Sequence, residues 1–200
     1  MTTHRNHLLR QWLSCLFNGY DYTAGRLSGD ASFRSYHRIE CRGETFLLMD
    51  APPRRENCFS FIDAGARLMR RGVKTPLVYC AHIEHGFLLL EDFGDRRYYD
   101  AMTDHQADSM YRQALGMLDA VSRTPTAGLP LYDRATIVGE ARLFSDWYCQ
   151  RHLHLEITDE QRHMFECLFA RLVDNMLEQP QVFVHRDYHS KNLMCFDDGH

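Results

Sequence analysis

The sequence predicts an α+β fold in two lobes, a β-rich first lobe over residues 1–94 and a helical second lobe over 95–200, with a cleft between them. Three observations carry that expectation. Between residues 25 and 90, short apolar runs alternate with turn signals at Ser28–Ser32, Arg42-Gly43 and His85-Gly86. From residue 104 onward, apolar residues recur instead at the spacing of helices. Near the end, a polar string, His185 to Asn192, stands between two apolar runs and passes into an Asp-Asp-Gly turn at 197–199.

The elements follow in order. Leu8, Leu9, Trp12, Leu13, Leu16 and Phe17 share one face of an opening helix, which Asn18-Gly19 ends. A β-meander follows, with strands near Tyr36–Glu40 and Thr45–Met49 joined at Arg42-Gly43. A helix from about Phe59 to Arg71, with Ile62, Ala66 and Met69 inward, stops at Gly72. Strands are expected over Leu77–Ala81 and Phe87–Leu90, the second running directly into Glu91-Asp-Phe-Gly-Asp95. Helices then cover 104–122 and 134–153, and Thr158-Asp-Glu-Gln161 reads as a capping box for a last one with Met164, Leu168, Leu172 and Met176 inward. Phe144, Trp147 and Tyr148 read as core. The runs Gln181–Val184 and Leu193–Phe196 read as buried strands of a hairpin around the polar string.

Composition narrows the function classes. With 44% hydrophobic residues the chain can bury a proper core. A net charge of −4 and pI near 6.3 give no electrostatic case for nucleic acid or an anionic membrane. Seven scattered cysteines with no Cys-x-x-Cys read as reduced thiols, no apolar run reaches membrane-spanning length and the start lacks a secretory core, so a cytoplasmic protein is expected.

The polar string carries the chemistry. His-x-Asp followed five positions later by Asn is the catalytic-loop pattern of phosphoryl-transfer enzymes. Asp187, ionised at neutral pH, can orient a hydroxyl and take its proton. Asn192 offers the hard amide oxygen that magnesium prefers. A surface hairpin with a polar tip would explain the three-residue pattern alone, but less readily the whole string between apolar runs. His185 and His189 as zinc ligands lack a third and fourth partner at sensible spacing. The small residues Gly29, Asp30, Ala31 and Ser32 would let backbone N–H groups approach a phosphate, with Arg34 adding charge. The residues after Leu90 would offer N–H and C=O groups to a flat heterocycle.

Five stretches occur in the order in which they stand in the aminoglycoside phosphotransferase-like kinases: Ser28–Tyr36, Met49-Asp-Ala-Pro-Pro53, Leu88–Asp95, Glu140–Tyr148 and His185–Met194. Within that family the chain most resembles the bacterial anomeric N-acetylmuramate/N-acetylglucosamine kinases of cell-wall recycling. The resemblance implies a protein-kinase-like two-lobed fold, ATP and Mg2+, and transfer of the γ-phosphate to an amino-sugar hydroxyl. It makes Asp187 the catalytic base, Asn192 a magnesium ligand, Gly29 to Ser32 the phosphate-covering loop, and Glu91 to Phe93 the segment that meets adenine.

Two departures accompany it. The third-strand lysine of most kinases falls near Met49, so another cation must serve, with Arg34 the candidate. The family continues past the catalytic loop with a metal-binding Asp and further helices, whereas this sequence stops at His200. A C-lobe incomplete at its C-terminus, with uncovered apolar surface, is therefore expected. A kinase for another small molecule, such as an aminoglycoside or amino alcohol, and a non-catalytic nucleotide-binding remnant are the alternatives.

Overall fold

A computed structural model describes residues 3–27 and 33–196. The chain divides into two compact units, Met1–Thr124 with Val184–His200, and Pro125–Phe183.

The first unit is built on five antiparallel strands: β1 (Thr23–Arg26), β2 (Ser35–Cys41), β3 (Glu44–Asp50), β4 (Val78–His82) and β5 (Phe87–Glu91). Their order across the sheet is β1-β2-β3-β5-β4. Arg42 and Gly43 both take positive φ (54° and 82°), the tight hairpin geometry that fixes the β2–β3 register from Ser35↔Asp50 to Cys41↔Glu44.

Helices cover both faces. On one, α1 (Thr3–Leu16) sets Leu9 and Leu13 against Ile39, Leu48, Phe87 and Leu89. On the other, α2 (Cys58–Met69) sets Cys58 against Met49, Ala51, Leu88 and Leu90. Alternation assigns these partners, because successive strand residues point to opposite faces. The run Phe87-Leu-Leu-Leu90 is apolar throughout because β5 is enclosed on both sides. Asn57 caps α2, its side chain accepting from the Phe59 and Ser60 N–H groups. The inward face of α2 matches the expected one only at Ile62, which packs on the sheet with Phe61; Leu68 is buried, while Ala66 and Met69 are exposed.

One ion pair ties α1 to the sheet. Arg5 donates through Nε to Asp50 Oδ1 at 2.8 Å and through Nη2 to the same carboxylate and to the His85 carbonyl. Asp50 is 1% exposed. The turn below it permits no side chain: Gly86 has φ +69°, and a Cβ there would meet the Ala51 carbonyl oxygen at 1.9 Å.

After β5 come α3 (Tyr98–Ala101) and α4 (Ala107–Ser122). The chain leaves this unit after Thr124 and returns at Val184.

The second unit holds α5 (Arg134–Leu143), a π-helical continuation over Phe144–His152, and α6 (Asp159–Leu177). The capping box on α6 forms as expected, Thr158 and Gln161 each accepting from the other's backbone N–H. Two sequence expectations are corrected here. Phe144, Trp147 and Tyr148 are about half exposed. On α6 the buried residues are Phe169 and Val173, with Phe165 half-buried, while Met164, Leu168, Leu172 and Met176 face outward. The helix carries two adjacent apolar rows, and α5 covers only one of them. Among the described residues, no helix is long and apolar enough to cross a membrane.

Candidate active site

The loop from His185 to Asn192 stands in the sheet-bearing unit, fastened by a side-chain bond from within it and by backbone bonds just beyond it. Tyr188 donates its hydroxyl to the Ala114 carbonyl on α4 at 2.6 Å. Beyond the loop, Tyr98 N–H donates to Leu193 O at 2.9 Å and Cys195 N–H to Arg96 O at 2.8 Å, around a β-bridge pairing Arg97 with Met194. The expected hairpin does not form among the described residues. Residues 181–185 form no strand, Val182 and Val184 are exposed, and the second run pairs with the segment after β5. An extended apolar run of four satisfies its backbone wherever a partner lies, and here the partner is remote in sequence.

Within the loop, Ser190–Asn192 makes one 3-10 turn that folds Asn192 back onto Asp187. Asn192 Nδ2 donates to Asp187 Oδ2 at 2.6 Å and to the Asp187 carbonyl at 3.0 Å. With its nitrogen committed to acceptors, the amide leaves Oδ1 as the outward acceptor. His189 accepts the Lys191 N–H at Nδ1 (3.2 Å), which leaves the proton on Nε2, and Nε2 stands 2.9 Å from Asp187 Oδ1. Both carboxylate oxygens are thus oriented while each retains a lone pair for a further donor. Asp187 remains 69% exposed and so accessible to a substrate. Arg186, just before it, has φ 72°, an uncommon conformation for a residue with a side chain and one that concentrates at functional sites. His185 packs edge-on against the Tyr188 ring at 5.5 Å, and desolvation lowers its pKa against the opposing pull of Asp187.

The remaining candidate residues fall as follows. Gly29, Asp30, Ala31 and Ser32 lie outside the described residues; the β1–β2 pair that flanks them is described, in register from Thr23↔Glu40 to Arg26↔His37. Arg34 donates through Nε to Glu56 at 2.9 Å, and its guanidinium lies 5.5 Å from the Phe61 ring centre. Met49, where most kinases carry lysine, is wholly buried against Leu88 and α2, so it is a core residue. Glu91 closes β5, donating its N–H to the Leu77 carbonyl at 2.8 Å and accepting the Leu77 N–H at Oε2 (3.1 Å). Phe93 follows with its ring edge-on to Phe196 at 4.9 Å, which joins the post-β5 segment to the run that follows the His185–Asn192 loop. Among the described residues, no acceptor meets the Phe93 N–H.

Two residues that sequence reading passed over touch this site. His189 was visible, two positions after Asp187, but was weighed only as a metal ligand. Arg38 had no local signal: its partners, Asp92 and Asp95, lie 54 and 57 positions away.

Among the described residues no three His, Cys, Asp or Glu side chains cluster as a metal site. The oxygen of Asn192, beside Asp187, is the donor that suits a hard cation also ligated by phosphates and water.

An N-acetylmuramate/N-acetylglucosamine kinase from Pseudomonas aeruginosa is 42% identical over 168 residues, 84% of this chain and 50% of the relative. A kinase of the same description from Neisseria meningitidis is 31% identical over 192 residues, 93% of this chain and 57% of the relative. The chain therefore spans about half the length of the relatives it matches. A solved structure from Ralstonia eutropha, described as a candidate aminoglycoside phosphotransferase, superposes with a TM-score of 0.56 over 95% of this chain and 60% of its own, at 15% identity, a likeness of fold alone. The phosphotransferase enzyme family matches residues 23–200, and with that span covering most of the sequence the chain belongs to this family.

Proposed function

We propose that this chain carries the nucleotide-side and catalytic-loop machinery of a kinase that phosphorylates an amino-sugar hydroxyl, the anomeric hydroxyl of N-acetylmuramate or N-acetylglucosamine. The carrying observation is the Asp187–Asn192 pair: a base and an amide oxygen fixed side by side by the 2.6 Å bond between them. The sugar assignment draws on the relatives, whose names specify those two acceptors.

Asp187 would orient the acceptor hydroxyl and take its proton as the oxygen attacks the γ-phosphorus of ATP. The bond from that phosphorus to the β,γ-bridging oxygen breaks, and ADP leaves. His189 and Asn192 keep the carboxylate aimed throughout. Magnesium, when bound, neutralises charge on the phosphates, and Asn192 Oδ1 would hold it. Glu91 and Phe93 would present a carbonyl and an N–H to the adenine edge. Gly29 to Ser32 would cover the phosphates, and Arg34, held by Glu56, would supply the cation that Met49 does not. Such a kinase would work in the cytoplasm, where ATP is available.

The test is ADP release with each sugar in turn, using the protein and its Asp187→Asn variant. Sugar-dependent ADP release is expected, falling about 10²–10⁴-fold in the variant, as for loss of a positioned base. Equal release by wild type and variant, or none that depends on an amino sugar, overturns the proposal. Tighter response to an aminoglycoside or amino alcohol would keep the chemistry and replace the acceptor.

A further inference from the structure

A single guanidinium holds the segment that follows β5. Arg38, on β2, donates from Nε to Asp92 Oδ2 at 2.5 Å and from Nη2 to Asp92 Oδ1 at 3.0 Å. The same side chain donates from Nη1 and Nη2 to the two oxygens of Asp95, at 2.7 and 3.0 Å. One arginine thus makes two forked pairs, using four charge-assisted hydrogen bonds on residues three apart. Between them, Gly94 turns with φ +78° and gives its N–H to Asp92 Oδ1 at 2.9 Å. Asp92 is nearly enclosed, its side chain 5% exposed, while Asp95 is 77% exposed. The bonds from Arg38 lower the pKa of Asp95 and raise that of Arg38, so this outer pair is charged at neutral pH.

This placement is unusual for a stabilising ion pair. Asp95 could be solvated at no cost, and a buried Asp92 could have been replaced by an apolar residue. What the double fork fixes is backbone: Glu91 is held in the sheet, Asp92 and Asp95 are pinned, and Phe93 lies between the pins. A lysine ammonium, a point charge without a planar fork, cannot span both carboxylates with this geometry.

We propose that Arg38 is a positioning residue for the nucleotide base, setting affinity for ATP by fixing the backbone of residues 91–95. The inference rests on the proposed reading in which Glu91 and Phe93 receive adenine. A segment held before the ligand arrives loses little conformational freedom on binding, which is where the clamp contributes affinity. Arg38 contacts no phosphate in this scheme, so its influence belongs to the base end of the nucleotide.

The experiment measures dissociation constants by titration calorimetry for Mg-ATP, Mg-GTP and magnesium tripolyphosphate, in wild type, Arg38→Met, Arg38→Lys and Asp95→Asn. Circular dichroism and the thermal midpoint are recorded beside each. Arg38→Met is expected to weaken Mg-ATP about tenfold and to erase preference for ATP over GTP, while tripolyphosphate changes less than about twofold. Arg38→Lys should recover only a minor part of the loss, which separates fork geometry from charge. Asp95→Asn keeps the enclosed Asp92 pair intact and is expected to fold as wild type, with ATP weakened about threefold. If the Asp95 variant binds ATP as wild type does, or if ATP and tripolyphosphate weaken together in any folded variant, the positioning role is overturned. Full rescue by lysine also overturns it. A wild-type chain that binds ATP no better than tripolyphosphate overturns the adenine reading itself, whatever the Arg38 variants do.

Discussion

In the unit that carries the sheet, Phe87, Leu88, Leu90, Leu48 and Met49 are each at most 1% exposed, whereas along α6 of the other unit Met164, Leu168, Leu172 and Met176 are 45–57% exposed. Both regions are rich in apolar side chains. The difference is geometric. A sheet with a helix on each face encloses two surfaces, so every residue of β5 finds a partner regardless of its direction. Two helices meet along one seam, so the next row over has nothing to lie against. The loop from His185 to Asn192 is fastened to the enclosed unit: through Tyr188 to α4 and, just beyond it, through residues 193–195 to the segment after β5. The candidate chemistry is thereby held on the part of the molecule whose sheet is covered on both faces.

The largest effect expected from that contrast is at Asp50. Its carboxylate is enclosed and its partner Arg5 reaches it from α1, so Asp50→Ala leaves a guanidinium without its counter-ion beside the Phe87 ring. Breaking such a pair from one side costs about 3–5 kcal/mol. Urea unfolding followed by circular dichroism should show the midpoint falling accordingly. A loss below about 1 kcal/mol, the range of exposed pairs, would mean that α1 is not anchored to the sheet as described.

A smaller effect sharpens the comparison directly. Leu88→Ala empties space on an enclosed face and is expected to cost about 2–5 kcal/mol, while Leu172→Ala, on the outer row of α6, should stay within about 0.5 kcal/mol. The two substitutions delete the same atoms, so their ratio in urea unfolding reads enclosure alone. Equal losses would show that the outer row of α6 is covered in solution.

These differences mark what the sequence could and could not reveal. The α+β class, the strand pairs and the capping box at Thr158 were legible because each depends on neighbours within a few positions: alternation, a Gly at a turn, a Thr before an acidic turn. Asp187 and Asn192 were legible for the same reason, since one 3-10 turn joins them. The inward face of α6 was not, because two apolar rows stand side by side and only the placement of α5 selects between them. The flanks of the His185–Asn192 loop were misread as a hairpin because Leu193 to Cys195 pair with residues 96–98, a partner that no local pattern announces. Arg38 was invisible on the same ground: an arginine at an alternate position on β2 reads as a solvated strand residue until its carboxylates are placed.

The smallest effect concerns His37, on β2 inside the enclosed unit. Its Nε2 is buried without a hydrogen-bond partner among the described residues, and desolvation lowers its pKa, with Asp50 opposing and Arg26 assisting. The folded value therefore lies below the unfolded one, near 6.5. Above that pH both states are neutral at this site and stability is unaffected. As pH falls through it, the unfolded chain takes up the proton first, and stability declines until the folded value is passed. His37→Leu removes the titration, and with it the orphaned nitrogen, while keeping the face apolar. Its stability should exceed that of wild type, by an excess that grows as pH falls from 7 to 5. Urea midpoints at the two pH values measure the growth, and a constant excess would assign the benefit to packing and leave His37 with no part in the acid response of the sheet.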